Sequence, residues 1–231
     1  MKAIVFDKDG VLLDIEATWH KAAWVLCQSF AELSQESFDA KFFADLLGVG
    51  LTRFDHKHSL FVSGSQTQIY GLIKQQVPAL SAPLSDAAIC GEIERKMFAV
   101  CHPQPLGDVQ GAIKSLCDLG YHLGVVTNDC SDFTQHCLRQ IEIEDMISVV
   151  IAADSGYGAK PDPKGLLAAC AQLDATPSET VMVGDSLADL EAANRAGVGF
   201  IGVSAEYPEA TLGLSVVEKL VPDVTVLPSL L

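Results

Sequence analysis

The chain has 231 residues, enough to bury a sizeable core in one large domain or two smaller ones. Apolar residues make up 49% of it and charges of both signs are mixed along it, which excludes a disordered chain. The net charge of −15 disfavours nucleic acid and anionic membranes as partners, because neither attracts an acidic surface, and any anionic ligand would need a local cation or a cluster of backbone N–H groups.

The first element is the apolar run Ala3-Ile4-Val5-Phe6, which reads as a buried parallel strand. It breaks into Asp7-Lys8-Asp9-Gly10, with two carboxylates at the end of a hydrophobic strand. From there to about Val100 the pattern is helical. Trp19, Ala22, Ala23, Leu26, Phe30 and Leu33 recur at helical spacing, Phe38, Phe42, Phe43, Leu46 and Leu47 form a second amphipathic run, and residues 66–75 and 85–100 suit two more helices. The stretches 48–50 and 62–65 read as flexible connections. Pro103, Pro105 and Gly107 mark a linker, after which the period changes. Strands are expected over residues 122–127, 146–152, 181–184 and 198–203, with 224–227 as a candidate sixth. Helices are expected over 109–119, 133–140, 164–173 and 187–196. Alternation of this kind predicts an α/β fold, a Rossmann-like parallel sheet core with right-handed crossovers. An all-helical domain is inserted after strand 1, so residues 1–14 and 104–231 form the core domain and 15–103 the insert.

Seven cysteines, an odd number with no CxxC pair, suggest free thiols in a reducing cytoplasm instead of a disulfide framework or a zinc site. Asp7 and Asp9 interrupt the N-terminal apolar run, unlike a signal peptide, and no apolar stretch approaches the roughly 20 residues of a membrane span.

The chemistry-bearing residues gather at strand ends, where open α/β sheets bind their ligands. Asp7 and Asp9 end strand 1. They do not start a calcium loop of the EF-hand type, because the sixth and twelfth positions from Asp7 hold Leu12 and Thr18 where Gly and Glu are required. The next strand ends in Thr127-Asn128-Asp129, with Ser131 placed to cap the following helix. Thr127 and nearby backbone N–H groups suit a phosphate oxygen; the plain alternative is a strand end. In Lys160-Pro161-Asp162-Pro163 the first proline extends the backbone at Lys160, Asp162 suits an N-cap and Pro163 the first helical position. That fixes Lys160 just before a helix; the alternative is a solvated loop. The strand over residues 181–184 runs into Asp185, matching Asp7 in position, while Ser186 and Asp189 fit a capping box. One site built from these ends suits a hard cation with oxygen ligands, magnesium above all beside phosphate.

Asp7-Lys8-Asp9-Gly10-Val11, Thr127-Asn128, Lys160-Pro161 and Gly184-Asp185 to Asp189, in this order and spanning the whole chain, resemble the four motifs of the haloacid dehalogenase superfamily of phosphohydrolases. Val11 stands where Thr is commoner. The helical insert looks like that family's C1 cap, which would close over the site. The resemblance implies that Asp7 is the nucleophile and is converted to an aspartyl-phosphate, and that Asp9 is the general acid and base. It implies Mg2+ held by the Asp7 carboxylate, the Asp9 carbonyl and Asp185. Thr127, the Asn128 backbone and Lys160 would bind the phosphoryl group, and Asp189 would orient Lys160 or a metal-bound water. The implied partner is a small organic phosphate monoester, in the manner of phosphoglycolate phosphatases. A phosphosugar mutase of the β-phosphoglucomutase type and a catalytically silent binding protein on the same fold stay open. His20, Arg53, His56, Lys57 and His58 are polar residues of the insert; His56 and His58 alternate as a metal pair can, although solvation is the plainer reading of each.

Overall fold

In a computed structural model of the chain, residues 1–35, 37–55, 58–203 and 219–231 are described. The chain divides into two compact units, one of Met1–Asp14 with Pro103–Leu231, the other of Ile15–His102.

The first unit is built on a six-stranded, all-parallel sheet in the order β3-β2-β1-β4-β5-β6. Its strands are β1 Ala3–Phe6, β2 His122–Val126, β3 Val149–Ile151, β4 Thr180–Gly184, β5 Gly199–Val203 and β6 Leu220–Val221. The central strand β1 is apolar at every position and fully buried, as a strand covered on both faces must be. The order reverses between β1 and β4, which makes the carboxyl ends of those strands the crevice where this architecture takes a ligand. One face packs on helices through Val5, Val126, Ile151, Leu166, Ala169, Leu173, Met182 and Ala193.

The second unit holds α1 Ile15–Leu33, α2 Ala40–Leu47, α3 Leu60–Ser63, α4 Gln66–Gln76 and α5 Ala87–Val100. They close on a core in which Phe30 meets Phe43 and Tyr70 at ring separations of 5.5 and 5.9 Å. The first unit continues with α6 Val109–Asp118, α7 Ser131–Gln140, α8 Lys164–Gln172, α9 Leu187–Ala196 and α10 Leu227–Leu230. No helix among the described residues is long and apolar enough to cross a membrane.

Several local expectations are corrected. Residues 224–227 form no strand: Val224–Val226 is a 3-10 turn leading into α10. Asp223 starts it by accepting the Thr225 N–H at 2.8 Å, and Pro228 has no N–H to offer a ladder. The sixth strand is β6 instead, paired with Gly202 and Val203. The strand expected from residue 146 starts at Val149, because Glu144–Met146 makes a 3-10 turn. Specific hydrogen bonds are present in the two stretches read as flexible connections. Gly50 O accepts the Trp24 indole N–H at 3.1 Å and lies 2.9 Å from His20 Nε2. Residues 62–65 hold the end of α3 and Ser65, the N-cap of α4, in a capping box with Gln68.

Candidate active site

The register of the sheet sets the site. Phe6 lies opposite Val125 of β2 on one side and Val183 of β4 on the other. Asp7 therefore leaves the sheet one step past Phe6, with Thr127 two steps past Val125 and Asp185 two steps past Val183. The Asp7 N–H still reaches Val183 O at 2.9 Å, so its backbone is part of the ladder. Beyond Asp9 the chain turns back sharply: Gly10 has φ of 75° and its N–H meets Leu13 O at 2.8 Å.

Lys160 arrives from the loop before α8. Its Nζ lies 2.6 Å from Asp7 Oδ1 and 2.7 Å from Asp189 Oδ1, with all three side chains largely withdrawn from solvent. Asp7 Oδ1 also accepts the Lys8 N–H at 2.7 Å. Asn128 fixes the backbone of Lys160, accepting its N–H at 2.7 Å and donating Nδ2–H to its carbonyl at 3.1 Å. Asp162 acts one place off its expected position: the cap residue is Pro163, and Asp162 Oδ1 accepts the Lys164 N–H at 3.0 Å. Asp189 is fully buried in a capping box at the start of α9, where its Oδ2 accepts the Ser186 N–H and hydroxyl at 3.1 and 2.7 Å. Gly184 makes that approach possible, since a Cβ there would stand 2.4 Å from Asp189 Cβ.

These carboxylates are in excess over their lysine. Burial pushes Asp7 up to about 7; the Lys160 ammonium pulls the other way and Asp189 adds to the rise. Burial, then the charges of Asp189 and Asp7, hold Asp185 well above the usual carboxylate range. Burial alone would lower Lys160, but Asp189 and Asp7 outweigh it and keep the ammonium above an ordinary lysine. Oxygen atoms of Asp7, Asp185 and Asp189 all lie within 4.8 Å of one another. An all-oxygen donor set with uncompensated negative charge fits a hard divalent cation.

The end of β2 forms the other side. Thr127 is buried, and its Oγ1 accepts the Asp129 N–H at 3.2 Å. Ser131 does not cap α7: the cap position is Cys130, and Ser131 N–H and Oγ both turn to Asp154. The Cys130 N–H is bound to Asp129 Oδ1 at 2.8 Å, so the first two N–H groups at this end of α7 both find neighbouring carboxylates. The Asn128 N–H has no such partner among the described residues. Asp9 meets Lys8 Nζ at 2.8 Å, and the same ammonium lies 3.0 Å from Asp129. Burial disfavours that charge, but Asp9 and Asp129 hold the Lys8 pKa well above the ordinary value. Sequence alone assigns no role to Lys8, Asp129 or the Asn128 side chain, because only the fold brings Lys8 to Asp129 and Asn128 to the Lys160 backbone.

Within the helical unit, His20 faces Gly50 O and the edge of Phe54 at 5.4 Å between rings. His58 Nδ1 lies 3.1 Å from Asp55, and Arg53 is exposed. His56 and Lys57, and with them the alternating histidine pair, lie outside the described residues.

Residues 1–197 match the family of haloacid dehalogenase-like hydrolases. The chain is 28% identical over 209 residues to a phosphoglycolate phosphatase of Nitrosospira multiformis, covering 90% of this chain and 86% of that one. Among solved structures it resembles a predicted phosphoglycolate phosphatase from Haemophilus somnus, with a TM-score of 0.72 at 18% identity over 100% of this chain and 97% of that one. It also resembles a 2-haloacid dehalogenase from Pseudomonas syringae pv. Tomato, with a TM-score of 0.68 at 20% identity over 99% and 97%. Structures with these two names share the fold, so the fold leaves the reaction to the site.

Proposed function

The chain belongs to the haloacid dehalogenase-like hydrolases, and on that premise we propose that it hydrolyses a small organic phosphate monoester through an aspartyl-phosphate on Asp7. The observation that carries this reading is the Lys160 ammonium, 2.6 Å from Asp7 at the switch point of the sheet, beside further carboxylates suited to a dication. An anionic substrate needs such positive charge in a protein of net charge −15.

In the first step an Asp7 carboxylate oxygen bonds to phosphorus as the ester oxygen leaves, and Asp9 gives that oxygen a proton. In the second a water attacks the aspartyl-phosphate, Asp9 takes the water's proton, and orthophosphate departs with Asp7 restored. The Thr127 hydroxyl, the Asn128 N–H and the Lys160 ammonium bind phosphoryl oxygens and offset the charge that spreads over them. Asp189 keeps Lys160 in place. Asp7, Asp185 and the Asp9 carbonyl are the groups that would hold magnesium, which when bound supplies positive charge beside the phosphoryl group. The phosphatase relative at 28% identity supports phosphoglycolate-like esters as the substrate class.

The test is orthophosphate release by the purified protein with MgCl2 from a panel of phosphate esters that includes phosphoglycolate and hexose phosphates. Release abolished by Asp7→Asn is expected. Isomerised sugar phosphate without orthophosphate would assign transfer back to sugar, and no turnover of any ester would overturn the reading.

A further inference from the structure

Lys8 has no part in the steps above, yet it is a fully buried cation. It is 0% exposed between two acids that retain 27% (Asp9) and 20% (Asp129) of their side-chain surface. Its Nζ meets Asp9 Oδ2 at 2.8 Å and Asp129 Oδ2 at 3.0 Å, and lies 5.2 Å from the centre of the Phe133 ring. Stability gives no reason for this choice: a buried ion cluster is commonly no more stable than apolar residues of the same volume. What the ammonium supplies is position. Asp129 is itself anchored, with Oδ1 on the Cys130 N–H, its N–H on Thr127 Oγ1 and its carbonyl on the Ala153 N–H at 2.9 Å. Lys8 thereby ties the Asp9 carboxylate to the loop after β2, which carries Thr127 and Asn128.

We propose that Lys8, backed by Asp129, is a positioning residue that holds the Asp9 carboxyl group where, once it has taken a proton from the attacking water of the previous turnover, it can give that proton to the leaving oxygen. This rests on the phosphatase reading. An alkyl ester must leave as an alcohol and needs that proton, whereas p-nitrophenolate departs as an anion without it. Loss of Lys8 therefore penalises the two leaving groups unequally, which a merely structural role does not.

The experiment compares kcat/KM for an alkyl phosphate, such as phosphoglycolate, with kcat/KM for p-nitrophenyl phosphate, in MgCl2. Lys8→Met is expected to lower the alkyl value by about 30-fold or more and the aryl value by about threefold or less, within what a general acid contributes. Equal losses, or none, overturn the proposal. Should Lys8→Met fail to fold, Asp129→Asn decides by the same ratio: the alkyl value falls more than the aryl value, and an unchanged ratio overturns it. Wild-type protein that turns over no ester of the panel overturns the phosphatase reading and the proposal together. Active wild type with an unchanged ratio in the variant overturns the role of Lys8 alone.

Discussion

Lys160 Nζ lies 2.6 Å from Asp7 Oδ1, and yet Asp7 is pushed up to about 7. Burial outweighs the attraction of the lysine, because that ammonium is shared with Asp189 at 2.7 Å. Between the ordinary value of 3.8 and about 7, the folded protein keeps a proton on Asp7 that the unfolded chain has released, so Asp7 makes stability fall as pH rises through that window. Asp7→Asn removes this cost. At pH 8, in chelator, the variant is expected to melt about 2–6 °C above wild type, and the difference should vanish below pH 4. A variant that melts lower than wild type at pH 8 would mean that the lysine attraction dominates.

The same excess of charge predicts how the protein responds to metal. Asp7 and Asp185 must be deprotonated to ligate, so magnesium should stabilise the protein at pH 8 and much less at pH 5. At about a hundred times its dissociation constant, a ligand adds roughly 2.7 kcal/mol. Thermal melts with and without MgCl2 measure this without any substrate, and Asp185→Ala should remove most of the shift. A full shift in that variant would take Asp185 out of the ligand set.

Gly184, at the end of β4, packs tightly against Asp189 of α9. A Cβ there would meet Asp189 Cβ at 2.4 Å and Cγ at 2.6 Å, with no flexible chain end to give way. Gly184→Ala is expected to cost about 1–3 kcal/mol through forced repacking. It should also lower kcat, because Asp189 carries Lys160. Unfolding in urea and steady-state kinetics check both, and wild-type values in each would show that Asp189 can shift freely.

The parts of this fold that were legible in the sequence are those that one segment decides alone. Ala3–Phe6 and Thr180–Gly184 are buried on both faces, so their apolar runs stand out, and Asp7 and Asp185 follow where those runs stop. Ser186 and Asp189 announced their capping box by spacing. The misread places are those where an apolar run serves something other than a strand. Val224 and Leu227 are fully buried, but in a turn begun by Asp223 and as the first residue of α10. Lys8 against Asp129, and Asn128 against the Lys160 backbone, are pairings between distant segments that no local pattern encodes.

Asn128 gives the sharpest test of that last kind of pairing. Its side chain accepts the Lys160 N–H at 2.7 Å and donates to the Lys160 carbonyl at 3.1 Å, which joins the loop after β2 to the loop before α8. Asn128→Ala leaves the backbone N–H of residue 128 in place and removes only this clasp. Two lost hydrogen bonds at a part-buried position cost about 1–3 kcal/mol. Because the Lys160 backbone then loses its anchor while Asp7 and Asp189 still hold its ammonium, the placement of Lys160 loosens and kcat should fall by about 10–100-fold, as displacement of a charge-stabilising group does. Asn128→Asp keeps the acceptor for the Lys160 N–H but loses the donor to its carbonyl, and should fall between the two. Kinetics on all three proteins, with melting curves to separate loss of fold from loss of placement, decide the matter; Asn128→Ala with wild-type kcat would show that Lys160 is held by Asp7 and Asp189 alone.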